Sequence, residues 1–237
     1  MLITSHSSSA VGEWNFDVPK GLSESPLLRS GGYRAISRLI EEPTLSGLLA
    51  EAEAVRPSGG RSIVKESGGA EGRGGKPAHA LRSRPGRDLH WRVHGCSDMV
   101  AALGRICGVE VAPGGGGTYS YYENPGDFLA LHRDVIKCDV AVITCLSLRV
   151  PDISAGGLHV YPEYIQEPLS RVRAAGRDGG RAAPLAQGET IVLFGGILPH
   201  EVIPMAEGQE RIVSVMCYRA LIPVSEDSSS SNGAIPA

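Results

Sequence analysis

Apolar residues recur along this chain with two different periods, and the change from one to the other falls near residue 109. In "YRAISRLIEE", Ile36, Leu39 and Ile40 stand at helical spacing until Pro43 interrupts. "TLSGLLAEAEAV" then puts Leu45, Leu48, Leu49 and Ala52 on one face, so the spacing predicts a two-part helical region over 33–56. "LHWRVHG" alternates Leu89, Trp91 and Val93 with His90, Arg92 and His94, the pattern of a strand with one apolar face. "SDMVAALGRICG" predicts a complete helix. Ser97 is placed to cap it, Val100, Leu103, Ile106 and Cys107 form its stripe, and Gly108 suits a left-handed end. Around these segments the pattern lapses. Residues 1–32 mix Ser, Gly and Pro and predict an irregular arm, 57–88 predict a flexible glycine-dense loop, and the polar tail 224–237 predicts disorder.

Beyond residue 109 the apolar positions fall into short runs: "TYSYYE", "FLALHRD", "DVAVITCLSL", "LHVYPEY", "ETIVLFGG", "HEVIPM" and "RIVSVMCYRAL". Turn signals such as "ENPGD", "SAGG", "RDGG", "AQGE" and "AEGQ" separate them. Short strands with this punctuation predict a β-sandwich or barrel. "PGGGGT" (Pro113 to Thr118) lacks the Lys-Ser/Thr and the following helix of a phosphate loop, and predicts a flexible entry into the first core strand.

The 237 residues allow one substantial domain. A net charge of −3 exerts no global pull toward nucleic acid or anionic membrane, and no aromatic-basic surface strip suggests a nucleic-acid partner. The longest apolar runs are too short to span a bilayer. The N-terminal "MLITSHSSSAVGEWNF" lacks the basic-then-apolar order of a signal peptide. Five cysteines, an odd count without CxxC, predict reduced, buried thiols in a cytoplasmic protein. From Arg61 to Arg92, eight Lys or Arg face three Asp or Glu. The segment is then a solvated loop, or a lid whose cations meet an anionic substrate or partner.

"GDFLALHRDV" carries the first candidate chemistry. On a strand His132 and Asp134 face one side and Arg133 the other, so Arg133 is assigned no chemistry. Such a pair arises by chance in about one chain of this size in four, so a third ligand has to come from elsewhere. His200 in "FGGILPHEVIP", held by Pro199, is the best placed. Two His and one carboxylate form the facial triad suited to non-haem Fe(II) and oxygen chemistry. Arg211, eleven residues on, opens an apolar strand. A guanidinium inside a barrel needs a carboxylate, either a dicarboxylate cosubstrate or a surface acid. His159 shares a strand face with Tyr161 and is either a structural or a substrate-contacting histidine. Arg219 alternates in phase with Arg211, Val213, Val215 and Cys217, and either reaches a substrate carboxylate or caps the strand end. His90, Arg92 and His94 lack a carboxylate or Cys at the spacing of a second metal site.

The order "YYENPGDFLALHRD … GGLHVY … GETIVLFGGILPHEVIPMAEGQERIVSVMCYRAL" resembles the Fe(II)- and 2-oxoglutarate-dependent oxygenase superfamily over about 118–221. The resemblance implies a mainly β fold with flanking helices. Its jelly-roll, or double-stranded β-helix, would occupy 109–223, with a helical support over 33–108. It implies iron held by His132, Asp134 and His200. It implies 2-oxoglutarate held by Arg211 and Tyr122, with Tyr121 as a second possibility. O2 would be the other cosubstrate, and succinate and CO2 the co-products. Many members carry Ser or Thr two residues after the Arg; here Val213 stands there and Ser214 is one step out of register. Halogenating members replace the Asp ligand, so Asp134 points away from halogenation. The implied activity is hydroxylation of a small molecule, an amino acid or natural-product intermediate. Desaturation, cyclisation or epoxidation, a peptide or carrier-bound substrate, and a non-catalytic metal-binding jelly-roll are the alternatives.

Overall fold

The computed structural model describes residues 20–56, 58, 60–67, 73, 75–149 and 157–221. The predicted tail 224–237 and most of the predicted arm lie outside them. In chain order the elements are α1 (Lys20–Ser23), α2 (Pro26–Arg29), β1 (Tyr33–Ser37), α3 (Thr44–Ala54), β2 (Ser62–Val64), β3 (His79–Pro85), α4 (Asp88–His94) and α5 (Ser97–Cys107). There follow β4 (Glu110–Tyr122), β5 (Phe128–His132), β6 (Val140–Arg149), β7 (Leu158–Val160), α6 (Leu169–Ala175), β8 (Arg181–Ala183), β9 (Glu189–Leu193), β10 (His200–Val202) and β11 (Glu210–Leu221).

Strands β4–β11 form a double-stranded β-helix, wound as two antiparallel layers. One layer runs β9-β6-β11-β4 and the other β5-β10-β7-β8. β3 bridges them, pairing Arg82–Pro85 with β4 and His79–Ala80 with β5, and β1 extends the first layer beside β9. Along β11 the odd residues Arg211, Val213 and Val215 face the space between the layers. The even residues Ile212, Met216 and Tyr218 face outward into a second core with Leu27, Leu48 and Leu103 of the helices. Both faces of β11 are thus buried, which is why its sequence is apolar almost throughout.

Several local expectations give way to long-range partners. Residues 33–37 form a strand, not a helix, because the edge of β9 offers unpaired backbone groups that β1 satisfies in register from Tyr33↔Leu193 to Ser37↔Glu189. The turn that follows, with Arg38 at φ 63°, still lets Leu39 and Ile40 reach the outer core. The "LHWRVHG" segment forms helix α4, not a strand. Its N-terminal amides are capped from outside the segment: Glu51 of α3 accepts from the backbone N–H of Arg87, Leu89 and His90 at 3.1, 2.7 and 3.2 Å. Burial works to raise the Glu51 carboxyl, but these bonds and one from the Tyr119 hydroxyl hold it below its ordinary value. Helix α5 matches its expected span, with Gly108 at φ 70°, but Cys96 occupies the cap position and no side chain caps it.

Within 57–88, two strands replace part of the expected loop, since β2 pairs with β3. Three of the cations there pair with acids of the chain: Arg61 with Asp127 at 3.0 Å, Arg73 with Asp139 at 2.7 Å and Arg82 with Glu123 at 3.0 Å. "PGGGGT" is not a flexible entry but part of β4, paired with β11. A methyl carbon added at Gly117 would stand 2.1 Å from His90 Cε1, and one at Gly115 would stand 2.5 Å from Lys137 Cβ. Those glycines serve close approach. Of the N-terminal arm, residues 20–29 contain two helical turns. The cysteine expectation is also corrected: Cys138 and Cys217 form a disulfide, while Cys107 and Cys145 are buried thiols and Cys96 is exposed. The cysteines therefore give no argument for a reducing compartment. Among the described residues no helix is long and apolar enough to cross a membrane.

Candidate metal centre and cavity

His132 closes β5 and His200 opens β10, and the two are direct cross-strand partners. One residue more lies between Leu129 and His132 than between their partners Val202 and His200. This bulge turns both Leu129 and His132 toward the interior. The imidazole centroids are 4.2 Å apart. His132 Nδ1 lies 2.8 Å from the Ala130 carbonyl and His200 Nδ1 lies 3.0 Å from the Leu198 carbonyl. A carbonyl only accepts, so each Nδ1 carries the proton and each Nε2 keeps its lone pair. Asp134 Oδ1 lies 3.5 Å from His132 Nε2 and 3.9 Å from His200 Nε2. One ligand atom from each residue falls within 4.8 Å of the others.

The electrostatics suit a cation. Burial, then the neighbouring His132, lowers His200 to about 4, so its ring is neutral at neutral pH. For Asp134 burial works to raise the carboxyl, but the close approach of His132, and then of His200 and Arg73, outweighs it, and the group stays below its ordinary value. Its second oxygen, Oδ2, is buried without a hydrogen-bond partner. Two imidazoles whose Nε2 lone pairs face an under-satisfied carboxylate are a donor set for a divalent transition metal.

The "GG" after β9 makes this arrangement possible. The Asp134 N–H donates to the Gly195 carbonyl at 2.7 Å, drawing the two segments together. A methyl carbon at Gly195 would stand 1.8 Å from Asp134 Oδ2. The Gly195→Ala variant is therefore expected to fold but to bind a divalent metal ion far more weakly than the wild type, because the methyl displaces the carboxylate. Titration of Fe(II) without oxygen checks this, and wild-type affinity would contradict the packing argument.

A cavity of about 160 Å³ is lined by His132, Asp134, His200 and Arg211. Its walls include Ile143, Leu158, Leu185, Val202, Val213 and Val215. Arg211 is only 3% exposed, and its Nε and Nη2 have no hydrogen-bond partner. Burial lowers its guanidinium from its ordinary value, with Cys145 and Tyr122 working in the opposite direction. Tyr122 is the cross-strand partner of Arg211 and lines the same cavity. Burial pushes its phenol up, so it remains a proton donor.

The other expected contacts do not meet there. Tyr121 faces the outer core and donates to the Ala52 carbonyl at 2.7 Å. His159 Nε2 lies 3.0 Å from the Arg177 carbonyl, while its strand neighbour Leu158 is the residue that faces the cavity. Arg219 donates from Nε to Asp139 at 3.0 Å. Arg133 points away from the ligands, as alternation predicts. It is 2% exposed and donates to the carbonyls of Ile197, Tyr164, Ile165 and Glu167.

Sequence reasoning missed Ser120. It pairs directly with Val213 and lines the cavity, on the same face as Tyr122. Counting back two residues from Tyr122 would have found it. The hydroxyl missing at Val213 is thus offered by the adjacent strand.

No protein-family model matches the chain, and no curated protein does. Solved structures do. HygX from Streptomyces hygroscopicus, with nickel and 2-oxoglutarate bound, is 12% identical with a TM-score of 0.60, covering 83% of this chain and 85% of its own. A prolyl-4-hydroxylase from Pseudomonas putida is 17% identical with a TM-score of 0.53, covering 83% of this chain and 96% of its own. The non-haem α-ketoglutarate-dependent epimerase SnoN of nogalamycin biosynthesis is 15% identical with a TM-score of 0.55, covering 81% and 80%. This chain shares their fold. At these identities the likeness concerns the backbone, and the chemistry rests on the side chains described above.

Proposed function

We propose that this chain is an Fe(II)- and 2-oxoglutarate-dependent oxygenase acting on a small molecule. The observation that carries the reading is one cavity with a His-Asp-His set and a buried guanidinium whose Nε and Nη2 find no hydrogen-bond partner among the described residues. A metal alone would leave Arg211 unexplained. A five-carbon dicarboxylate has a 2-oxo acid end for the metal and a distal carboxylate for Arg211. Iron(II), 2-oxoglutarate and O2 together supply oxidation of a C–H bond, with succinate and CO2 as co-products.

The chain's residues then divide the work. His132, Asp134 and His200 hold the metal, with the two Nδ1 protons kept on backbone carbonyls. Arg211 receives the distal carboxylate, and the hydroxyls of Tyr122 and Ser120 lie on the same cavity wall to assist it. The apolar walls keep water from the reacting atoms and orient the target carbon. Asp134 would fill the place a halide would need on the metal, which favours hydroxylation, or a related desaturation, cyclisation or epoxidation. A small-molecule substrate is supported by the HygX structure that holds hygromycin B and by SnoN's place in nogalamycin biosynthesis.

Adding Fe(II) and 2-oxoglutarate without oxygen to the wild-type protein is expected to produce a visible metal-to-ligand charge-transfer band. Admitting oxygen is then expected to produce succinate. Absence of the band in folded protein overturns the proposal.

A further inference from the structure

Asp134 opens a segment, 135–139, that leads to β6, and little apolar burial holds its first half. Val135 is 48% exposed and Ile136 64%. Its backbone carbonyls converge instead on one side chain. Arg73 donates from Nε to the Asp134 carbonyl at 3.1 Å, and from Nη2 to those of Val135 at 2.7 Å and Cys138 at 3.1 Å. Its Nη1 donates to Asp139 Oδ1 at 2.7 Å. The other oxygen of Asp139 accepts from Arg219 Nε and the Ala220 N–H, both at 3.0 Å, which ties this network to β11. Gly196 leaves the space: a methyl carbon there would stand 2.6 Å from Arg73 Cζ.

We propose that Arg73 is a positioning residue for the metal centre, fixing the backbone that carries Asp134 so that its carboxylate faces His132 and His200. The inference rests on the reading of those three residues as metal ligands. The chemistry calls for a guanidinium. Three carbonyls and a carboxylate lie around one planar fork, and an ammonium on a flexible stem cannot reach all four in fixed directions. Outer partners of this kind orient ligands and commonly command about 10–100-fold in metal affinity. The arrangement assigns a purpose to one cation of a segment whose sequence suggests only a solvated loop or a lid. It also explains Arg219, which orients Asp139 rather than meeting substrate.

The test compares wild type, Arg73→Ala and Arg73→Lys by anaerobic Fe(II) titration and by the visible spectrum of each protein loaded with Co(II) alone. Both variants are expected to bind Fe(II) at least tenfold more weakly and to show a changed Co(II) spectrum, reporting altered coordination. Loss of fold alone would not change coordination in a protein whose metal-free form still melts cooperatively. If the alanine variant does not fold, the lysine variant, which can keep the Asp139 ion pair, decides. Wild-type affinity and spectrum in a folded variant overturn the proposal. So does a lysine variant equal to wild type, since charge alone would then suffice. Failure of wild type itself to bind metal would instead overturn the assignment of the ligands.

Discussion

His132→Ala is expected to abolish the anaerobic Fe(II)–2-oxoglutarate band and to bring succinate formation below detection. Three ligand atoms lie within 4.8 Å of one another, and removing one leaves a single imidazole and a carboxylate. Two donors do not define a face of an octahedron. The loss should therefore exceed the ~10–100-fold that outer partners command. The metal-free variant should still fold. His132 is not fully buried, with its side chain 12% exposed, and it closes a strand whose ladder to β10 is made by backbone groups. Burial, the larger cause of the depression of His200, remains in the variant, and only the smaller part due to His132 is removed. Iron affinity and the melting temperature of metal-free protein, measured side by side, separate these effects. An unchanged band in a folded variant would sink the assignment.

Arg211→Met is expected to split two properties in opposite directions. Truncating one partner of a buried charge pair costs about 2–5 kcal/mol, which is on the order of 30- to 5,000-fold in the Kd for 2-oxoglutarate. Iron binding should survive, because Arg211 touches none of the ligands. In the absence of 2-oxoglutarate the variant should be at least as stable as wild type. The wild-type guanidinium is 3% exposed with two unpartnered nitrogens, and replacing a buried charge with an apolar chain of similar length removes that desolvation cost. Ser120→Ala should cost far less, about 0.5–1.5 kcal/mol for one neutral hydrogen bond, roughly 2- to 13-fold in Kd. Equal 2-oxoglutarate affinity in Arg211→Met and wild type would refute the role given to Arg211.

Much of the C-terminal half was legible because its signals are local. Period-two alternation marked the strands, and glycine-rich turns marked their ends. Alternation also told which neighbours of a ligand look away, as Arg133 does. It could not say which of Tyr121 and Tyr122 faced inward, since both orders alternate equally well. Burial of both strand faces hid that direction.

The N-terminal half was misread where a distant partner outweighed a local preference. Glu51 supplies the cap that "LHWRVHG" lacks, and the free edge of β9 draws residues 33–37 out of helix. The candidate residues could be picked from the chain, because His132, Asp134, His200 and Arg211 are residue types with few cheaper reasons to lie in apolar strands. Their placement could not. It depends on a missing methyl at Gly195, on the direction of a tyrosine, and on a guanidinium from a segment 61 residues before Asp134. Period and composition record how each residue meets its near neighbours. Convergence of groups far apart in sequence arises only when the two sheets close on one another, and the chain carries no local trace of it.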